Sequence, residues 1–167
     1  MCVKITFVYL KARKEHDMDF TFYDTSDLKS DEIYLLLERT APADPVRGWV
    51  PAYYFGIMNQ VGERMGEIDL RIGHNDRLFY GGNIGYRVEP EFRGHHYAAK
   101  AVKLLFTLAK RHDLGYITIS CNPDNAASYR TCELAGGKLL GVYELPEDND
   151  MRIEDGETHK CVFRFEL

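Results

Sequence analysis

Long apolar runs are missing from this chain. No segment approaches the roughly 20 apolar residues that span a bilayer, and Lys4, Lys11 and Arg13 break up the start of the chain, where a secretory signal needs an unbroken apolar core. Cysteine is sparse and scattered: Cys2, Cys121, Cys132 and Cys161 form no CxxC pair and no metal-ligand spacing, which indicates free thiols and no metal centre. There is no Gly/Ser-rich linker, no repeat and no low-complexity tract. Neither a glycine run ending in the lysine of a P-loop nor a Gly-x-Gly-x-x-Gly is present, so a mononucleotide-binding protein is a weak reading. An excess of basic charge is also absent. The net charge of -5 argues against general affinity for nucleic acid or anionic membranes. The expectation is a single cytoplasmic domain over residues 1–167 with no metal, nucleic-acid or membrane partner; a homodimer is compatible with it.

What is present is an ordinary globular composition, 45% hydrophobic and 28% charged, with eleven Tyr and nine Phe to fill strands and core. The acidity is local. Glu144 to Glu157 holds seven acids and one base, leaving 19 acids and 20 bases elsewhere. This segment reads as a solvated connecting loop, or as a rim that attracts a cationic substrate. Lys4 to Lys11 reads as a strand, "DEIYLLLERT" (Asp31 to Thr40) as a helix, and the Pro-rich Ala41 to Pro51 as a flap. Strands are expected at Tyr53 to Asn59, Met65 to Gly73 and Gly82 to Glu89, forming an antiparallel meander. In the second, Ile68, Leu70 and Ile72 face opposite to Glu67, Asp69 and Arg71. A helix of about 19 residues, ~28 Å long, follows, striped by Tyr97, Ala98, Ala101, Val102, Leu105, Leu108 and Ala109. Then come a strand at Tyr116 to Cys121, a helix at Asn125 to Ala135 closed by Gly136 and Gly137, and strands near Leu139 to Tyr143 and Cys161 to Glu166. This order gives an α/β (α+β) fold with a mixed, mostly antiparallel sheet flanked by helices.

The turn ahead of the long helix, "VEPEFRGHHYAAK", concentrates chemistry. A helix start presents four unpartnered N–H groups and a partial positive charge, which suit a phosphate. Arg93 adds a full charge, Gly94 removes a blocking side chain, and Ala98 and Ala99 keep the first turn slim. The alternative is a plain surface turn before an amphipathic helix. His95 and His96 add positive charge or are two exposed imidazoles; adjacent helical positions diverge by about 100°, so the pair makes no metal site.

"IGYRVEPEFRGHHYAAKAV" resembles the GNAT N-acetyltransferase fingerprint, a strand, a valine-x-proline step and an Arg/Gln-x-x-Gly-x-Gly/Ala loop. Arg93 stands at its first position and Ala98 at its last. "NPDNAASYRTCELAGG" is similar to the family's next helix, with Asn125 and Ser128 near the cofactor arm. The resemblance spans about Gly66 to Gly141 and is nearest to the branch acting on ribosomal-protein N-termini and related small amines. It implies acetyl-CoA as acetyl donor, pantetheine along Tyr86 to Val88, and pyrophosphate held by backbone N–H groups of Gly94, His95, His96, Tyr97 and Ala98. Its middle glycine is His96 here, and a helical φ is expected to let that side chain be carried.

Catalysis of amine acetylation needs a proton acceptor, since an alkyl ammonium of pKa ~10.4 leaves about one molecule in a thousand nucleophilic at neutral pH. Relatives place a glutamate where this chain has Asn83; Glu67 is the expected substitute, or a solvent-facing strand carboxylate. Relatives place a tyrosine at Cys132, which reads here as a small core residue. Ser128 is then the expected donor toward the thiol sulfur. Two functions follow: an N-acetyltransferase acting by direct attack of the primary amine of a small molecule or peptide N-terminus, or an acyl-CoA-binding module of the same fold without chemistry, which Asn83 and Cys132 keep open.

Overall fold

The computed structural model describes residues 20–167; the strand expected at Lys4 to Lys11 lies outside them. Two sheets carry the architecture. The first is an antiparallel meander of β1 (Ile33–Ala41), β2 (Ala52–Asn59), β3 (Arg64–Arg71) and β4 (Ile84–Val88). The second is an antiparallel trio in the order β5 (Tyr116–Cys121), β7 (His159–Glu166), β6 (Lys138–Glu144). Helix α1 (Asp76–Gly81) precedes β4, α2 (Tyr97–Arg111) links the sheets, α3 (Ala126–Ala135) follows β5, and α4 (Asp150–Asp155) lies between β6 and β7.

The alternation in β3 resolves as expected, with Ile68 and Leu70 in the core. Ala98, Ala101, Val102, Leu105, Leu108 and Ala109 of α2 are buried, and most of this stripe packs in one cluster with Tyr53, Phe55, Ile68 and Phe163. Three expectations are corrected. Asp31 to Thr40 is mostly strand β1, not a helix: Ile33 and Leu35 alternate into the core, and pairing with β2 overrides the helix propensity of "LLLER". Helix α2 has 15 residues, or ~22 Å. The acidic segment is not all loop, because Asn149 caps α4 there. Its charges are partly neutralised by Arg77–Asp150 (2.5 Å), Arg152–Glu144 (3.1 Å) and Lys160–Glu157 (2.5 Å).

Asn83 joins the two sheets. It is fully buried, and its Nδ2 donates to the carbonyls of Arg71 (3.0 Å) and Gly73 (2.8 Å). Its Oδ1 accepts from the Thr118 amide at 2.9 Å, and its own amide donates to the Thr118 carbonyl at 2.7 Å. Beyond this stitch β4 and β5 form no ladder: each is the edge strand of its own sheet. A cleft opens beside β4, toward α3.

Candidate active site

The cleft has a volume of about 480 Å³ and is walled by three elements. Strand β4 contributes Tyr86, Arg87 and Val88; the turn into α2 contributes Phe92, Arg93, Gly94, His96, Tyr97 and Ala98; α3 contributes Asn125, Ser128 and the residues after it.

The turn is built from alternating backbone conformations. Glu89 starts the one-turn helix Pro90–Phe92; Gly94 then takes φ +86°, and His96 takes φ +60°. Such alternation turns successive amides into one concavity. Helix α2 begins at Tyr97 with no side chain capping its first turn, so those amides face the cleft without an internal acceptor. A Cβ on Gly94 would meet nothing, so its requirement is conformational rather than spatial. His96 corrects the expectation of a helical φ. It stands in the left-handed region, which costs a non-glycine residue about 1–2 kcal/mol.

Arg93 is placed on the cleft, with its Nε donating to the Val88 carbonyl at 2.9 Å. That bond fixes the guanidinium's direction and engages one of the strand carbonyls expected to meet pantetheine. His95 is the one member of the expected loop set outside the cleft lining; it stacks on Tyr97 with centroids 5.4 Å apart. The Asn125 side chain accepts from the Ser128 amide at 3.0 Å, so the Asn-x-x-Ser pattern caps α3 and aims Ser128 at the cleft.

Ser128 Oγ and Tyr86 Oη lie 2.7 Å apart across the cleft floor. Burial raises the Tyr86 phenol above its usual value, so it remains a donor at neutral pH. Cys132 Sγ is 3.9 Å from the same oxygen. It is completely buried, and burial pushes its thiol up to about 12, which keeps it protonated and excludes a thiolate nucleophile. Glu67 is not in this cleft. It lies on the other face of the sheet, half-exposed and ion-paired with Arg64 at 3.4 Å.

Sequence reasoning missed Phe92, Ala127, Arg130, Thr131 and Leu134, all on the cleft. The α3 members were reachable: Thr131 follows Ser128 by three, and Leu134 follows Thr131 by three, which puts them on one helix face. Among the described residues no group of three metal-binding side chains occurs, and no helix is long and apolar enough to cross a membrane.

Comparison with solved structures finds the same fold. The microcin C7 self-immunity acetyltransferase MccE, solved with acetyl-CoA and AMP, superposes with a TM-score of 0.54 at 21% identity, covering 70% of this chain and 61% of that one. A GNAT-family acetyltransferase from Bacillus anthracis gives 0.53 at 20% identity over 68% of this chain and 65% of its own. The ribosomal L7/L12 alpha-N-protein acetyltransferase RimL gives 0.53 at 23% identity, covering 73% and 72%. The chain thus spans less than two thirds of the length of the first two. No curated protein matches the sequence significantly. The acetyltransferase (GNAT) domain model matches residues 8–138, a span that contains the stitch at Asn83, the uncapped turn and the whole of α3, and the chain belongs to the GNAT acetyltransferase family.

Proposed function

We propose that the protein is an N-acetyltransferase that moves an acetyl group from acetyl-CoA to the primary amine of a small molecule or peptide N-terminus by direct attack. The single observation that carries this reading is the turn from Gly94 to Ala98, where uncapped amides, two positive-φ residues and Arg93 border one cleft. These features fit a diphosphate: charge-assisted bonds of about 1.5–3 kcal/mol each are available there without moving the backbone.

Acetyl-CoA, when bound, supplies the thioester that the amine attacks. The chain's own residues do the rest. Gly94, His96, Tyr97 and Ala98 hold the diphosphate, with Arg93 alongside; His95 contributes its amide only. The edge of β4 that faces away from β3 offers strand N–H and C=O groups around Tyr86 for the pantetheine amides and the thioester carbonyl. Tyr86 Oη and Ser128 Oγ are 2.7 Å apart, a contact in which either can donate; with Tyr86 as the donor the serine proton is free to point at the sulfur, and Ser128 protonates or hydrogen-bonds the leaving thiolate. Glu67, the sequence candidate for the base, is half-exposed and paired with Arg64. MccE and RimL, named as acetyltransferases, support the reaction class; the chain's acceptor follows from neither.

The test is a thiol-release assay with acetyl-CoA and a panel of primary amines and free-N-terminal peptides, beside calorimetry with coenzyme A. Amine-dependent thiol release supports the reading. Tight coenzyme A binding with no release from any amine would convert it to a binding module, and no binding would remove it.

A further inference from the structure

Strand β4 has a second cavity behind it. On the face of the sheet opposite α2, a hollow of about 340 Å³ is lined by residues of all four strands of the meander, among them Glu38, Arg39, Tyr54, Glu67 and Asp69. It shares Tyr86 and Arg87 with the cofactor cleft, so β4 is a common wall one strand thick. Asp69 sits at the centre. Its register partner is Gly85, and a Cβ on Gly85 would come within 2.7 Å of Asp69 Oδ1. The carboxylate therefore leans across from β3 and rests on β4, next to Tyr86 and on the strand that borders the cleft. The absent side chain at Gly85 is what admits it.

We infer that Asp69, not Glu67, is the proton acceptor for the incoming amine, and that this cavity is where the amine sits. The inference rests on the acetyltransferase reading above and assigns the missing base within it. In the step, the ammonium nitrogen gives one proton to an Asp69 carboxylate oxygen. The freed lone pair forms the C–N bond as the C–S bond breaks; of the two protons still on nitrogen, one passes by way of Ser128 to the departing sulfur and the other stays on the amide.

The surroundings fit the role. Arg71 pairs with both oxygens of Asp69, Nη2 donating to Oδ1 at 3.4 Å and Nε lying 3.0 Å from Oδ2, yet Oδ2 is buried and receives no well-directed hydrogen bond. Arg39, stacked 3.3 Å over the Tyr54 ring, and Arg87 from β4 add positive charge. Glu67 and Glu38 add negative charge, but both are bonded to Arg64, at 3.4 and 2.8 Å. Burial dominates these opposing influences and pushes the Asp69 carboxyl up to about 6. Such a carboxylate is ionised at neutral pH and is a stronger base than an ordinary one. Glu67, half-exposed and held by Arg64, lacks that environment.

Two probes that fit the cavity decide the matter: ethylamine, cationic at pH 7, and trifluoroethylamine, whose nitrogen is neutral there. Both are run with saturating acetyl-CoA. With ethylamine, Asp69→Asn is expected to lower kcat/KM about 100-fold and to abolish the rise of kcat/KM through pH about 6. With trifluoroethylamine the loss shrinks to a few-fold, because no proton need be removed before attack; a merely structural role would impair both amines equally. Coenzyme A affinity, measured by calorimetry, stays within twofold, which separates this step from the cofactor site.

A second readout needs no turnover. A carboxyl raised in the folded state favours folding below its unfolded value of 3.8, and that contribution is lost as pH rises to about 6. The melting temperature of Asp69→Asn should therefore lack the wild-type decline across that window. Equal losses on both amines, a larger loss in Glu67→Gln, or a wild type that binds coenzyme A and acetylates neither amine each overturns the inference. Coenzyme A binding intact with the Asp69→Asn profile unchanged overturns it alone and leaves the cofactor reading standing.

Discussion

The two sides of β4 are built by different means. The cleft beside α2 is made largely of backbone: amides at a helix start, two residues with positive φ, and one arginine anchored on a carbonyl. The hollow over Gly85 is made of side chains delivered by all four strands and held by ion pairs. A backbone site tolerates most substitutions and is written locally, in a dozen consecutive residues. A side-chain site depends on register and is spread from Glu38 to Arg87. The difference predicts that mutations on the first side change binding, and that mutations on the second change turnover.

Asn83 should break the comparison most severely, because both sides hang from it. Replacing it with alanine removes the hydrogen bonds of its side-chain amide to Arg71, Gly73 and Thr118 and strands their partners, while the backbone bond to Thr118 stays; a loss of about 3 kcal/mol is expected in denaturant unfolding. The Asp69→Asn effect described above, near 100-fold on turnover with unchanged coenzyme A affinity, is next. Arg93→Glu should do the reverse, weakening coenzyme A at least tenfold by calorimetry while leaving the melting temperature within a few degrees, since its one bond reaches an exposed carbonyl. The smallest effect belongs to His96→Gly. Relief of the left-handed backbone should stabilise by up to about 1 kcal/mol, with coenzyme A affinity equal or better. A clear loss on both counts would show that the imidazole itself contributes to the site.

The same contrast explains what the sequence made legible. The helix-start turn, Arg93, Gly94 and the placing of Asn125 and Ser128 beside it were readable because the motifs are local, whereas the cap that Asn125 makes on Ser128 came only with the structure. The meander was readable from the alternation at Ile68 and Leu70. Strand β1 was not, because its leucines, glutamate and arginine favour a helix and only pairing with β2 decides otherwise. Left-handed His96 was hidden because no side-chain pattern announces φ. Asp69 was visible only as the polar half of an alternating strand. Its distinction comes from lying over Gly85, a residue 16 positions away that register brings alongside. Asn83 was read as a lost base, whereas its full burial shows a structural stitch that leaves no lone pair for chemistry.

The most direct measurement is a crystal structure grown with coenzyme A. The account predicts diphosphate oxygens within hydrogen-bond distance of the amides between Gly94 and Ala98, the thiol near Ser128 and Tyr86, and Asp69 separated from it only by β4. A diphosphate bound elsewhere, or that turn left bare while the cofactor occupies another surface, would contradict it.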